Sequence, residues 1–241
     1  GYRRNSSVPP TKEEERAPEK ADLEERPEFT VFVQTKQQFE MVLGKFKMYR
    51  KLSERSYGIY LAAESFDAQE WKKLADRCHE VGVRCYLMMP RIFRKEAEQY
   101  FRKQMELLTS AGFDALGIGS MEEPGFLREA GIELPMYFDQ GMYSWNHLAG
   151  AAMERYGADR LTIPVELNER EIRDSGVQGE MIVYGYLPMM ISAQCIRKTT
   201  LGCSGKPEIM WLKDRKDMRF PVVNQCRFCY NTIYNSAPLS L

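Results

Sequence analysis

A parallel α/β barrel, TIM-like and incomplete or distorted, is the fold that this sequence predicts. The chain has 241 residues, of which 44% are hydrophobic and 28% charged, and a complete barrel of this type needs roughly 250 residues. Short apolar runs alternate with helical stretches that end near glycine, which is typical of βαβ units. The runs are almost continuously apolar, as expected for parallel strands covered on both faces.

Seven strand-helix units follow one another along the chain. Strands are predicted at residues 29–33, 58–63, 83–89, 115–119, 134–138, 160–165 and 180–185. The intervening helices are predicted at residues 36–48, 67–82, 94–110, 122–130, 146–156 and from residue 168. Seven units are one short of a closed barrel. A doubly wound open sheet is the alternative, but Lys36, Gln37 and Gln38 after the first strand lack the glycines of a dinucleotide-binding loop.

Composition divides the chain into two parts. Residues 1–27 are rich in Pro, Lys and Glu and poor in large apolar side chains, so they predict a flexible charged linker. Residues 28–241 are predicted to form the barrel domain, which includes a Cys-rich segment at residues 195–241. The chain starts without Met and stops just after that segment, so an excerpt of a longer protein is expected.

The zero net charge excludes attraction of nucleic acid by a positive field of the whole chain. Lys plus Arg and Asp plus Glu both number 34, so no global positive field attracts nucleic acid, and any RNA contact requires a local patch. No apolar run approaches the roughly 18 residues of a membrane span, and no export signal is visible, so we expect a cytoplasmic protein with no membrane contact. With only His79 and His147, histidine-dependent protease chemistry is disfavoured.

Polar side chains follow several of the predicted strands. In a parallel barrel the chemistry lies beyond the carboxyl ends of the strands. This position makes Glu64, Arg91, Asp139 and Glu166 the catalytic candidates. The alternative is that strand ends meet solvent and are polar for that reason alone.

The six cysteines fall into two groups. Cys78 and Cys85 have helical and strand spacing and are expected to be small buried side chains. The other four have the spacing Cys195-x7-Cys203-x22-Cys226-x2-Cys229. Four clustered thiolates suit either a structural zinc ion or an iron–sulfur cluster, and the spacing leaves both open.

Basic residues surround this cysteine quartet. Arg197, Lys198, Lys213 and Arg215 are the candidates for contacts with RNA phosphates. The alternative is a solvated face, because Asp214 and Asp217 are interspersed among them.

The segment from Glu180 to Cys195, with the sequence EMIVYGYLPMMISAQC, resembles the signature of the U32 peptidase family, the collagenase-like proteins. Residues 160–167, 212–215, 220–222 and 235–241 extend the resemblance, which covers roughly residues 29–241. The Cys226-x2-Cys229 spacing is narrower than in better-known members, whose last two ligands are wider apart.

The resemblance implies a function. Better-understood members of the family are iron–sulfur proteins that hydroxylate RNA bases, in tRNA or rRNA, or a quinone precursor. It implies a [4Fe–4S] cluster on Cys195, Cys203, Cys226 and Cys229, with zinc as the alternative metal. The larger members have two barrels, so the resemblance implies that this chain is the carboxyl-terminal barrel. Its partner would then be an amino-terminal barrel of the same protein. A collagenase-like peptidase and a non-catalytic barrel stapled by zinc are the alternative functions.

Overall fold

The computed structural model describes residues 28–52 and 55–241. The predicted charged linker, residues 1–27, lies outside these described residues. Among the described residues, no helix is both long enough and apolar enough to cross a membrane.

A parallel sheet forms the first part of the fold and confirms the predicted α/β barrel-like class. Its strands are β1 (Phe29–Val33), β2 (Tyr57–Ala62), β3 (Arg84–Met88), β4 (Ala115–Ile118), β5 (Met136–Phe138) and β6 (Arg160–Leu161). They pair in chain order, each parallel to the next. Strand β6 is shorter than predicted, and Pro164, within the predicted strand, has no N–H to offer a neighbouring strand. We call these six strands and their helices the half-barrel.

Helices connect the strands of the half-barrel. They are α1 (Lys36–Tyr49), α2 (Trp71–Glu80), α3 (Lys95–Lys103), α4 (Met105–Ser110), α5 (Glu122–Glu129), α6 (His147–Arg155) and α7 (Glu169–Ser175). Side-chain caps begin several of them: Thr35 caps α1, and Asn168 forms a capping box with Glu171. The single helix predicted at residues 94–110 is wrong in one respect. It breaks at Gln104, whose N–H is shared between the carbonyls of Tyr100 and Phe101.

The two faces of the parallel sheet differ in character. Toward the helices, Leu61, Leu87 and Leu116 are fully buried and form the main hydrophobic core with Trp71 and Phe101. The opposite face carries a polar network among aromatic rings. Its main contacts are Tyr86 Oη to Glu28 (2.7 Å), Arg160 to Glu28 (2.7 Å) and Tyr60 Oη to Glu180 (2.9 Å).

The predicted seventh parallel strand at residues 180–185 is wrong. Only one parallel bridge forms there, between Thr162 and Glu180. Gly185 then has a φ of 141°, a conformation that side-chain-bearing residues rarely adopt. The strand β7 (Tyr184–Gly185) instead pairs antiparallel with β12 (Leu239–Ser240).

A second sheet follows, for which the sequence carried no predicted strands. Its antiparallel strands are β8 (Pro188–Ser192), β9 (Ile209–Lys213), β10 (Arg219–Gln225) and β11 (Tyr230–Tyr234), in the order β8-β11-β10-β9. The short helix α8 (Ile196–Thr200) lies between β8 and β9 in the chain. We call these four strands the C-terminal sheet. It joins the core of the half-barrel through Phe228 and Tyr230.

Candidate functional site

Three of the four catalytic candidates lie together at the carboxyl ends of the half-barrel strands. Arg91 donates from Nη2 to Asp139 Oδ2 over 2.6 Å. The hydroxyl of Tyr230 donates to Glu64 and accepts from the backbone N–H of Arg91 at 3.3 Å. We call the group Glu64, Arg91 and Asp139 the mouth. Tyr230, from the C-terminal sheet, closes it on one side.

The fourth candidate, Glu166, does not join this group. It is exposed, and within the part of the chain that the structure describes it makes no hydrogen bond or ion pair.

Glu123 is a buried acid near the mouth and is absent from the residues predicted from sequence. Its side chain is 0% exposed, and its Oε2 accepts from the backbone N–H groups of Gly119 (2.8 Å) and Ser120 (3.3 Å). Its Oε1 has no hydrogen-bond partner among the described residues. The signal for it was the Ser120-x-x-Glu123 pattern after the fourth strand, in which a glutamate returns to backbone N–H groups at a helix start.

Burial controls the protonation of these acids. Burial raises the pKa of Glu64, although the hydrogen bond from Tyr230 opposes that shift. Burial also raises the pKa of Glu123 well above its usual range, and the nearby carboxylates of Glu64 and Asp139 add to the shift. The carboxyl group of Asp139 faces the guanidinium of Arg91, whereas burial disfavours the charged forms of Glu64 and Glu123.

All four cysteines of the quartet line one cavity of about 40 Å³. Cys195 begins α8, and its sulfur accepts from the backbone N–H of Lys198 at 3.5 Å. Cys203 follows α8, while Cys226 and Cys229 flank the turn between β10 and β11. Burial raises the pKa of the Cys226 thiol, and the other three cysteines add to the rise. Residues separated by up to 34 positions are thus brought to one place.

The size of this cavity bears on which group fits it. A tetrahedral zinc with Zn–S bonds of about 2.3 Å holds its sulfur atoms roughly 3.8 Å apart. Among the described residues, no three His, Cys, Asp or Glu side chains stand close enough to hold a metal ion. The cavity of about 40 Å³ has room for roughly three water molecules, since one occupies about 10–15 Å³ by this measure. The four thiols of the quartet suit either a zinc ion or an iron–sulfur cluster.

The basic candidates for RNA contact have different surroundings. Arg197 pairs with Glu208 and also donates to the carbonyl of Gly202. Lys198 lines the cysteine cavity. Lys213 pairs with Asp217 at 2.8 Å. Arg215 is exposed and has no ion-pair partner within the described ranges.

The family model of peptidase family U32 matches residues 50–237, which is most of the chain. The chain therefore belongs to peptidase family U32. No curated protein matches it at a significant level.

Solved structures resemble the chain only distantly. Muconate lactonizing enzyme from Pseudomonas putida aligns with 11% identity and a TM-score of 0.39, over 56% of this chain and 37% of that one. Thiamine phosphate pyrophosphorylase from Pyrococcus furiosus aligns with 11% identity and a TM-score of 0.39, over 64% of this chain and 84% of that one. The chain spans less than half the length of the muconate enzymes it matches.

Proposed function

We propose that this chain is the U32 domain of an enzyme that hydroxylates RNA bases, and that its cysteine quartet holds a [4Fe–4S] cluster. One observation carries the proposal. The cavity lined by Cys195, Cys203, Cys226 and Cys229 is also lined by Tyr230, whose hydroxyl donates to Glu64 in the mouth. A single side chain therefore joins the candidate cluster site to the candidate catalytic acids.

The donor chemistry supports a cluster. Four thiolates are the usual ligands of a [4Fe–4S] cluster, which supplies one-electron redox chemistry when bound. Zinc is the alternative group for the same four thiolates, and it would hold their sulfur atoms about 3.8 Å apart.

The residues of this chain have separate roles in the proposal. The C-terminal sheet covers the mouth and excludes water from Glu64, which is buried. Its burial favours the protonated carboxyl, so Glu64 can hold a proton beside Tyr230. Arg91, fixed by Asp139, presents a cation that can orient an anionic group of a substrate.

The RNA part of the proposal has two supports. One is the resemblance to RNA-hydroxylating members of the family. The other is charge: residues 195–229 contain eight basic and three acidic residues within a chain whose net charge is zero. Such a local excess attracts phosphates. We further propose that the protein partner is an amino-terminal barrel of the same protein. The proposed location of the protein is the cytoplasm.

Anaerobic purification followed by iron, sulfide and zinc analysis tests the proposal. We expect about four irons and four sulfides per chain, with a visible iron–thiolate absorbance. Cys203→Ser should abolish this content, whereas Cys78→Ala should leave it unchanged because Cys78 is buried in the core away from the quartet. Stoichiometric zinc without iron would support the stapled barrel instead.

A second measurement addresses the reaction. Mass spectrometry of tRNA and rRNA from cells that lack the gene should show the loss of one hydroxylated base, restored by the wild-type gene and not by the Cys203→Ser variant. Gelatin cleavage that persists after repurification and is absent from a Glu64→Gln variant would favour the peptidase alternative.

A further inference from the structure

Strand β9, at one edge of the C-terminal sheet, presents large apolar side chains to solvent. Trp211 is 61% exposed and Ile209 is 62% exposed. An exposed tryptophan on a sheet edge is unusual, because its burial would be strongly favourable. Among the described strands, β9 pairs only with β10, so nothing in the described part of the chain covers this edge.

The pairing register shows which face carries Trp211. It lies opposite Pro221, and two residues along the same strand Lys213 lies opposite Arg219. Side chains alternate between faces, and directly opposed residues share one face. Trp211, Lys213 and Arg219 therefore lie on one face of the sheet, and we call these three residues the platform.

The same face of the sheet turns toward the mouth. Gln225 on this face pairs with Tyr230, whose hydroxyl reaches Glu64, and Tyr234 accepts a hydrogen bond from Gln34 after β1 at 2.9 Å. Strand β9 lies two strands from β11, which corresponds to about 10 Å. Trp211 thus lies about 10 Å from Tyr234, across Pro221, on the face that contacts the half-barrel, and Lys213 and Arg219 lie farther along the strands from Tyr230.

The charges around Trp211 are available to an anion. Arg219 and Arg215 are exposed and have no ion-pair partner among the described residues. Asp214 is occupied in a turn, where its Oδ1 accepts from the backbone N–H groups of Lys216 (2.7 Å) and Met218 (2.9 Å). Asp217 pairs with Lys213, but both side chains are more than half exposed, so this pair is weak and exchangeable.

We propose that the platform binds single-stranded RNA, with a base stacked on Trp211 and phosphates held by Lys213 and Arg219, and so guides the strand toward the mouth. An aromatic ring flanked by cations is the combination that proteins use for single strands, because every base has a π-face and every nucleotide a phosphate. The inference rests on the proposed function, which supplies RNA as the substrate class.

Fluorescence anisotropy with a labelled single-stranded oligoribonucleotide tests the platform. Trp211→Ala should weaken binding about tenfold, as loss of one base stack does, and Trp211→Phe should retain most of the affinity. Arg219→Ala should lower the slope of log affinity against log salt by about one unit. Two matched controls should bind like wild type: Met41→Ala, an equally exposed apolar residue on α1, and Arg170→Ala, an exposed cation on α7.

The possible outcomes separate this inference from the proposed function. Wild-type binding that Trp211→Ala leaves unchanged would overturn the platform alone. Wild-type protein that contains the cluster and binds no RNA would overturn both. Sedimentation completes the test: if Trp211→Ala dissociates a dimer and leaves RNA affinity unchanged, the face is a protein interface and the inference is wrong. Iron content should stay at the wild-type level in every platform variant.

Discussion

The half-barrel and the C-terminal sheet use the same types of side chain in opposite ways. In the half-barrel, Ile59 and Leu87 are fully buried between the sheet and its helices. In the C-terminal sheet, Met189, Met190 and Trp211 are each more than half exposed. The half-barrel can therefore be stabilised by burial of apolar surface, whereas the C-terminal sheet needs other contacts to hold it in place.

Several contacts that hold the C-terminal sheet in place lie at one turn. Phe228 stacks on Phe101 with the ring centroids 6.0 Å apart, and Arg227 donates to the carbonyl of Phe66 at 3.1 Å. Both residues lie between Cys226 and Cys229. The turn that carries two candidate ligands is thus the turn that attaches the C-terminal sheet to the half-barrel, so we expect cluster binding and docking of the sheet to be coupled.

The largest expected effect tests this coupling. Cys226→Ser should abolish iron binding and make residues 188–240 sensitive to protease, while the half-barrel stays folded, because metal–sulfur bonds contribute folding free energy only to the segment that they join. Limited proteolysis with mass spectrometry of the fragments measures this, and Cys78→Ala is the control. A variant with full iron content, or one whose half-barrel is digested equally fast, would contradict the coupling.

The next effect compares equal truncations in the two regions. Leu87→Ala should lower the free energy of unfolding by about 2–5 kcal/mol, since it leaves a cavity in a fully packed core. Leu212→Ala in β9 should cost less, about 1 kcal/mol, because Leu212 is 37% exposed and buries less apolar surface. Urea denaturation of both variants measures the difference, and similar losses would mean that the exposed sheet is covered in solution.

A smaller effect is expected where the two regions meet. Tyr230→Phe removes the hydroxyl that donates to Glu64, and loss of a hydrogen bond to a buried group costs about 1–3 kcal/mol. That bond lowers the pKa of Glu64, so its removal should raise this pKa further, and the loss of stability should grow as pH rises. Denaturation at several pH values measures this, and a loss that does not depend on pH would show that Glu64 does not titrate in the folded chain.

The pH dependence of stability should have opposite signs at two glutamates, one in each region. Burial raises the pKa of Glu123, so the folded state binds more protons than the unfolded state, and stability falls as pH rises from the ordinary glutamate pKa through the folded one. Glu123→Gln should flatten this fall, which has a limiting slope of about 1.4 kcal/mol per pH unit. The hydrogen bond from Arg197 lowers the pKa of Glu208 in the folded chain. Glu208→Gln should therefore lower the stability slightly at pH values above the ordinary glutamate pKa. It should leave the stability unchanged at pH values well below the pKa of Glu208 in the folded chain.

Stability curves of the two glutamine variants against pH provide the measurement. A Glu123→Gln curve that runs parallel to the wild-type curve would show that Glu123 is ionised in both the folded and the unfolded chain. If the Glu208→Gln variant becomes more stable than the wild-type chain as pH rises, the ion pair between Glu208 and Arg197 does not stabilise the fold.

The sequence predicted some of the site and missed the rest for a definable reason. Glu64, Arg91 and Asp139 were found because parallel strands end at one edge, so position in the chain indicates position in space. Tyr230 was missed, because it reaches the mouth from a segment that has no repeating pattern in common with the barrel. Glu166 does not lie with them, because four residues separate it from the end of β6 at Leu161.

The sequence by itself determined the parallel strand order, the helix caps and the separation of the two cysteine groups, because periodicity, capping and spacing are local properties of the chain. Tertiary structure alone decided three further features. These are the loss of the seventh strand, the antiparallel sheet built from residues 188–234, and the convergence of Cys195, Cys203, Cys226 and Cys229 on one cavity. Each depends on contacts between residues far apart in the chain, and which distant partner a strand or thiol meets is set by packing of the whole domain.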